Sequence, residues 1–203
     1  MIQRQIKQTF LHALHFYPIT IITGPRQSGK STFLKNILPD WNYVSLEDPD
    51  IREFCRTDPR GFLSSYPEHS IIDEAQQVPD LLSYLQTQVD ESGESGQYVL
   101  SGSQNFRLMK SISQSLAGRC AVLKLMPFSQ KELQRARLLS KNANEYIYTG
   151  GYPRIYDKHI PPARYYADYF ETYVQRDIRN LQNIGDLSLF TRFIKLCAGR
   201  IGQ

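Results

Sequence analysis

Cysteine is scarce in this chain: three in 203 residues, Cys55, Cys120 and Cys197, far apart and odd in number. That usage excludes a disulfide framework and points to reduced thiols in a cytoplasmic protein. No cysteine stands at a metal-ligand spacing, and the four histidines, His12, His15, His69 and His159, do not gather around them. A zinc site needs grouped ligands, so all seven read as packing or surface positions. No stretch approaches the roughly 20 apolar residues of a membrane helix. The opening segment, "MIQRQIKQTFLHALHFYP", is interrupted by Gln, Lys and His and has no small-residue cleavage site. It reads as an amphipathic helix, not a leader peptide. There is no internal repeat and no low-complexity tract. A strong charge bias is also missing: the net charge is +4 and the basic residues are scattered. Nucleic-acid binding is therefore permitted by charge but not argued by it.

Hydrophobic residues make up 41% of the chain, enough for a real core. The apolar pattern alternates between two periods. Short β-branched runs at Ile19–Thr23, Tyr43–Leu46, His69–Asp73, Tyr98–Ser101 and Ala121–Leu125 read as strands. Between them, Lys30–Ile37 and Asp80–Asp90 carry apolar residues at helical spacing, and Asp50–Arg56 and Arg60–Ser64 read as short helices broken at Pro59. Strands alternating with helices predict a parallel sheet covered on both faces. From Ser129 onward the strand signal stops. Ala163–Gln182 reads as one helix with an aromatic stripe of Tyr166, Tyr169, Phe170 and Tyr173. The expectation is an α/β core over residues 1–128 and a helical, lid-like extension over 129–203.

The chemistry concentrates in four stretches. "GPRQSGKST", Gly24 to Thr32, fits G-x-x-x-x-G-K-[ST] and lies between a strand and a helix. Gly24 and Gly29 permit backbone angles that let the chain wrap an anion. The N–H groups of Pro25's successors, Arg26, Gln27 and Ser28, then turn inward as a nest, joined by the positive end of the following helix. Lys30 is expected at the β- and γ-phosphates, Ser31 on Mg²⁺ and Thr32 near the α-phosphate.

"HSIIDEAQ" places Asp73 and Glu74 at the C-terminal end of a strand, where open α/β sheets bind ligands. Asp73 is the second expected Mg²⁺ residue. Glu74 is the expected general base for the attacking water. That adjacent Glu favours an ATP hydrolase over a kinase or a GTPase-like switch. "YVLSGSQNF" ends a further strand with Ser101 and Ser103, either of which can reach the γ-phosphate or the water, and Ser103 joins the catalytic set. In "SLAGRCAVL", Arg119 precedes the fifth strand. It is a candidate arginine finger, in its own subunit or toward a neighbour's nucleotide, against a plain surface arginine. Arg176, with Asp177 and Arg179 beside it, is either a lid arginine directed at nucleotide or part of a local ion-pair network.

Together with "GGYPRIY", "YVQRDI" and "FIKLCAGRIGQ", these stretches span nearly the whole chain, which resembles the prokaryotic AAA-type ATPases whose P-loop domain precedes a C-terminal domain of unknown function. The resemblance implies an additional-strand P-loop core with Lys30 and Ser31 as its Walker-A pair, Asp73 and Glu74 as its Walker-B carboxylates, and Gly118 and Arg119 as its Gly-Arg motif. Ser28 departs from the apolar residue common there. In that family the chain continues beyond the segment matching Ala198–Gln203 into a winged-helix-like module and a further domain, so this sequence reads as the ATPase part alone.

The expected ligands are therefore ATP and Mg²⁺, with a protein partner or a homo-oligomer compatible and no membrane. The expected activity is Mg-ATP hydrolysis in a motor or regulatory switch. The alternatives are an ATP-binding signalling module with poor hydrolysis and a nucleic-acid-handling ATPase. The fold order also follows: the Tyr98–Ser101 strand should lie between the Ile19–Thr23 and His69–Asp73 strands.

Overall fold

The computed structural model describes residues 2–103, 115–174 and 187–200. Five strands, β1 (Ile19–Gly24), β2 (Asn42–Ser45), β3 (Ser70–Asp73), β4 (Tyr98–Ser103) and β5 (Cys120–Lys124), form one sheet in the order β2-β3-β4-β1-β5. All four pairings are parallel. β4 therefore separates β1 from β3, the order expected from the sequence. The strand boundaries move by one or two residues at most, the longest change being the extension of β4 to Ser103.

Period-two alternation in the strands sorts their side chains to two faces. Ile19, Ile21, Ile72, Tyr98 and Leu100 point to one core. That face is covered by α3 (Pro49–Thr57), α4 (Pro59–Ser65) and α5 (Leu81–Ser92), through residues such as Cys55, Phe62 and Leu85. Ile22, Ile71 and Val99 point the other way, against Phe10 of α1 (Lys7–Phe16) and Phe33 and Leu34 of α2 (Lys30–Ile37). The result is a three-layer α/β sandwich. Pro59 does not merely interrupt a helix. It starts α4 at the first helical position, where its missing N–H costs nothing, and Asp58 caps the turn by accepting from Gly61 N at 2.9 Å.

Beyond the sheet come α6 (Gln130–Arg135), α7 (Ala143–Thr149), α8 (Pro153–Lys158), α9 (Pro162–Tyr169) and α10 (Leu187–Ala198). α6 opens with a capping box between Ser129 and Glu132. The long helix expected over Ala163–Gln182 differs in the structure. α9 runs into a π-helical turn at Phe170–Val174, and residues 175–182 lie outside the described part. A π turn inserts an extra residue per turn, so a three-and-four aromatic stripe cannot keep one face across it. Tyr166 and Tyr169 of the expected stripe pack on Tyr152, at 6.0 and 5.1 Å between centroids, and Tyr165, outside the stripe, is the buried ring beside them at 5.5 Å. Among the described residues no helix is long and apolar enough to cross a membrane.

Candidate active site

The register of the sheet assembles the site. Gly24 pairs with Ser103 across β1 and β4, and Ser45 pairs with Asp73 across β2 and β3. The C-terminal ends of four strands thus meet at the loop that leaves β1. Gly24 is held where a β-carbon would lie 2.2 Å from the Leu125 carbonyl oxygen, at φ +151°. Gly29 turns the chain into α2 at φ 93°, and Phe33 N closes the first helical turn on its carbonyl at 2.9 Å. Both glycines are required by conformation, not only by the motif.

Lys30 is buried and folds back on the loop, donating to the carbonyl oxygens of Gly24 at 3.2 Å and Pro25 at 3.1 Å. Burial pulls its ammonium below the ordinary lysine value, against the opposing pull of Glu74 and Asp73. The Ser28 hydroxyl is buried inside the loop and finds no hydrogen-bond partner among the described residues. Arg26, Gln27, Gly29, Lys30, Ser31 and Thr32 line a cleft of about 800 Å³. Its far wall is formed by the N-terminal segment and by α8, including Ile2, Phe128, Pro153, Arg154, Tyr156 and Lys158. The lining carries cations from both the loop and the extension, Arg26, Lys30, Arg154 and Lys158, together with the carboxylates of Glu47, Glu74 and Asp157.

Ser31 and Asp73, distant in sequence, touch here: Ser31 Oγ donates to Asp73 Oδ2 at 2.6 Å. Asp73 is almost fully buried and takes three further donors, the Tyr43 hydroxyl, the Ser101 hydroxyl and Glu74 N at 3.1 Å. Two hard oxygen donors at the mouth of a phosphate loop are the donor chemistry that suits Mg²⁺. Burial and the hydrogen bond to Asp73 raise the Tyr43 phenol, keeping it a neutral donor, and Lys35 Nζ lies 3.7 Å from the centroid of its ring.

Glu74 leaves the strand in the left-handed region, at φ 57° and ψ 41°, and lines the cleft. Burial is the main cause that raises its carboxyl above the ordinary value, partly offset by a hydrogen bond from Gln76. Gln76 Nε2 donates to Glu74 Oε2 and also to Ser103 Oγ at 3.3 Å. The two serines left open by the sequence therefore separate: Ser101 belongs to Asp73, and Ser103 to the Glu74 side.

Arg119 is not brought to this cleft. Its carbonyl accepts from Ile19 N at 3.3 Å, so it stands beside the N-terminal end of β1, about 20 Å along the strand direction from the phosphate loop. Its guanidinium pairs with Asp90. Arg119 is not among the residues that line the cleft. Arg176, Asp177 and Arg179 lie outside the described residues.

Sequence reasoning missed Arg4, Tyr43 and the role of Gln76. Arg4 is buried beside the loop, with Nη1 donating to Ser28 O at 3.0 Å, Nη2 to Met126 O, and Nε to Glu132 Oε1 at 3.2 Å. Tyr165 donates to Gln27 Oε1 at 3.0 Å, a second tie from the extension to the loop. Gln76 stood inside "HSIIDEAQ", and its two-residue spacing from Glu74 was the available signal.

Comparison with known proteins places these features in context. Residues 17–134 match the family model described as an AAA domain, and residues 140–203 match a domain of unknown function. Uncharacterized proteins of Mycobacterium bovis and Mycobacterium tuberculosis are each 29% identical over 174 residues, which is 83% of this chain. The chain spans only 38% of the length of these relatives. Among solved structures, a Walker-type ATPase of Pyrococcus abyssi is similar with a TM-score of 0.57 and 16% identity, over 90% of this chain and 76% of that one. AMPPCP-bound DnaA from Aquifex aeolicus is similar with a TM-score of 0.51 and 12% identity, over 85% of this chain and 64% of that one. At these identities the two structures support the P-loop α/β fold.

Proposed function

The chain is a member of the AAA domain family, and from that premise we propose that it binds Mg-ATP on the Gly24–Thr32 loop and hydrolyses it to ADP and phosphate, as a motor or regulatory switch. The observation that carries this reading is the 2.6 Å contact of Ser31 with Asp73 at the mouth of the loop. It joins the two residues that would hold Mg²⁺, which when bound supplies positive charge against the β- and γ-phosphate oxygens.

The chain's own groups do the rest. Backbone N–H groups of the loop and the α2 N-terminus receive the phosphates. Lys30 exchanges its carbonyl partners for phosphate oxygens, a stronger charge-assisted pairing. Glu74 accepts a proton from the attacking water as its oxygen bonds to the γ-phosphorus, while the bond to the ADP oxygen breaks. Ser103 lies on the γ-phosphate side of this group. The apolar lining of the cleft, Ile2, Phe128 and Pro153 among it, is offered to the base and sugar. Arg119, remote from its own cleft, serves a neighbouring chain's nucleotide in an assembled form.

Release of inorganic phosphate from Mg-ATP by the chain tests the proposal. Wild type should turn over ATP, and Glu74→Gln should bind it but lose turnover, since an amide cannot take the proton. Wild-type turnover by Glu74→Gln, with binding intact, refutes the catalytic assignment.

A further inference from the structure

The turn after β3 carries a feature that nucleotide binding does not explain. Glu74 and Gln76 belong to one tight turn, Gln77 N bonding back to Glu74 O at 3.0 Å and Val78 N to Ala75 O at 3.2 Å. Within it, the Gln76 amide nitrogen is shared between the Glu74 carboxylate and the Ser103 hydroxyl. Its orientation follows from chemistry, because the reverse would set the amide oxygen against carboxylate oxygen. The oxygen, Oε1, is buried and has no partner among the described residues. A side chain kept for packing or for closing a turn would satisfy both ends of its amide, or be replaced by an apolar one. Leaving an acceptor orphaned costs free energy. The nitrogen, by contrast, has two acceptors.

What the nitrogen does is set by where its two acceptors stand. Ser103 faces Gly24 across the sheet, at the root of the phosphate loop. Glu74 lines the cleft from the next strand but one. The amide joins them by its two hydrogen bonds. We infer that Gln76 is a positioning residue that couples Ser103, which faces the root of the phosphate loop, to the carboxylate of Glu74, so that occupancy beside Ser103 sets the direction in which Glu74 points. The inference rests on the proposed role of Glu74 as base and goes beyond it by naming the group that aims the base.

The test is a double-mutant cycle in the chain as it stands, read as phosphate release and as binding of a fluorescent ADP analogue. Gln76→Met keeps the length and loses the donor. It should lower kcat about 10-fold or more, a part of the roughly 10²–10⁴-fold that a positioned acid or base contributes. KM and the affinity for the ADP analogue should stay within about twofold, because no binding group is lost, and the melting temperature should not fall. In the Glu74→Gln background, Gln76→Met should slow the residual rate no further, since there is no base left to aim. A merely structural role would instead lower stability and add its effect in both backgrounds.

If Gln76→Met does not fold, Gln76→Asn, which keeps the amide but draws it back by one methylene, should show the same split between kcat and KM. Wild-type kcat in Gln76→Met, with Glu74→Gln inactive, overturns the coupling and leaves the base standing. An active Glu74→Gln overturns the base, and the coupling with it. An additive cycle overturns the coupling alone.

Discussion

Arg119 grips Asp90 with two parallel prongs, Nε to Oδ1 at 2.5 Å and Nη2 to Oδ2 at 2.8 Å, at the edge of the sheet opposite Lys30. Hydrogen bonding from Arg119 holds the Asp90 carboxyl below the ordinary carboxylate value. Both groups are solvent-facing, so the pair adds little to stability. On the proposed reading, this arginine serves a nucleotide bound by another chain. Phosphate release per chain should then rise with protein concentration in wild type and be lost in Arg119→Ala, whose melting temperature should match wild type. Mixing Arg119→Ala with Lys30→Ala chains should restore part of the activity, each supplying what the other lacks. Concentration-independent turnover and a silent mixture would show that Arg119 is a surface residue.

Lys30 gives the simplest binding test. Its ammonium sits on two loop carbonyls and would trade them for phosphate oxygens. Hydrogen bonds to charged groups contribute about 1.5–3 kcal/mol each, so Lys30→Ala should weaken ATP binding by roughly 100-fold or more. Calorimetry giving equal affinities for the two proteins would exclude this loop as the phosphate site.

Glu74 should cost the fold stability in a pH-dependent way. Burial raises its carboxyl above the 4.5 of an ordinary glutamate. Between that value and its raised native one, the native state keeps a proton that the unfolded chain has lost. The unfolded state then binds fewer protons, and stability falls as pH rises through the window. Glu74→Gln removes the contribution. Urea denaturation should find the variant more stable than wild type at pH 8, with the difference shrinking as pH approaches 4.5. A difference that stays constant, or widens toward acid, contradicts this account.

The strands were legible because each is a short apolar run, four of the five ending in Gly, Asp or Ser and β5 in Lys124, and their order followed from the P-loop pattern. That Gly24, Lys30, Ser31, Asp73 and Glu74 meet around the loop after β1 was legible from a G-x-x-x-x-G-K-[ST] stretch between strand and helix and a carboxylate pair at a strand's end. The far-edge position of Arg119 was also within reach: it precedes β5, and in a parallel sheet every strand starts at the edge away from the loops that bind ligand. Tyr43 and Arg4 were not legible. Tyr43 meets Asp73 only through the pairing of Asn42–Ser45 with Ser70–Asp73, a register that no local pattern encodes. The stripe held within α9, where Tyr166 and Tyr169 pack on Tyr152, while the π turn that begins at Phe170 could not be read from a 3.6-residue period.

Arg4 shows how strongly the extension is tied to the loop. Its guanidinium bonds Ser28 O and Met126 O, lies 4.8 Å from the Phe128 ring centroid and pairs with Glu132. Glu132 is fully engaged in turn, accepting from Gln5 N at 2.7 Å and Ser129 N at 2.9 Å. Side-chain exposures of 6% and 5% make this a buried pair. Removing one partner from such a pair strands the other charge and typically costs about 3–5 kcal/mol, whereas replacing both with apolar groups is often near neutral. Arg4→Ala should therefore lower stability by about 3 kcal/mol or more. Arg4→Met combined with Glu132→Leu should recover much of that loss in urea denaturation. It should not recover nucleotide affinity, because the Ser28 carbonyl, and with it the loop, is no longer held by a donor. Recovery of affinity along with stability would reduce Arg4 to a core filler. Loss of affinity with stability restored makes it the strut that keeps the phosphate loop in shape.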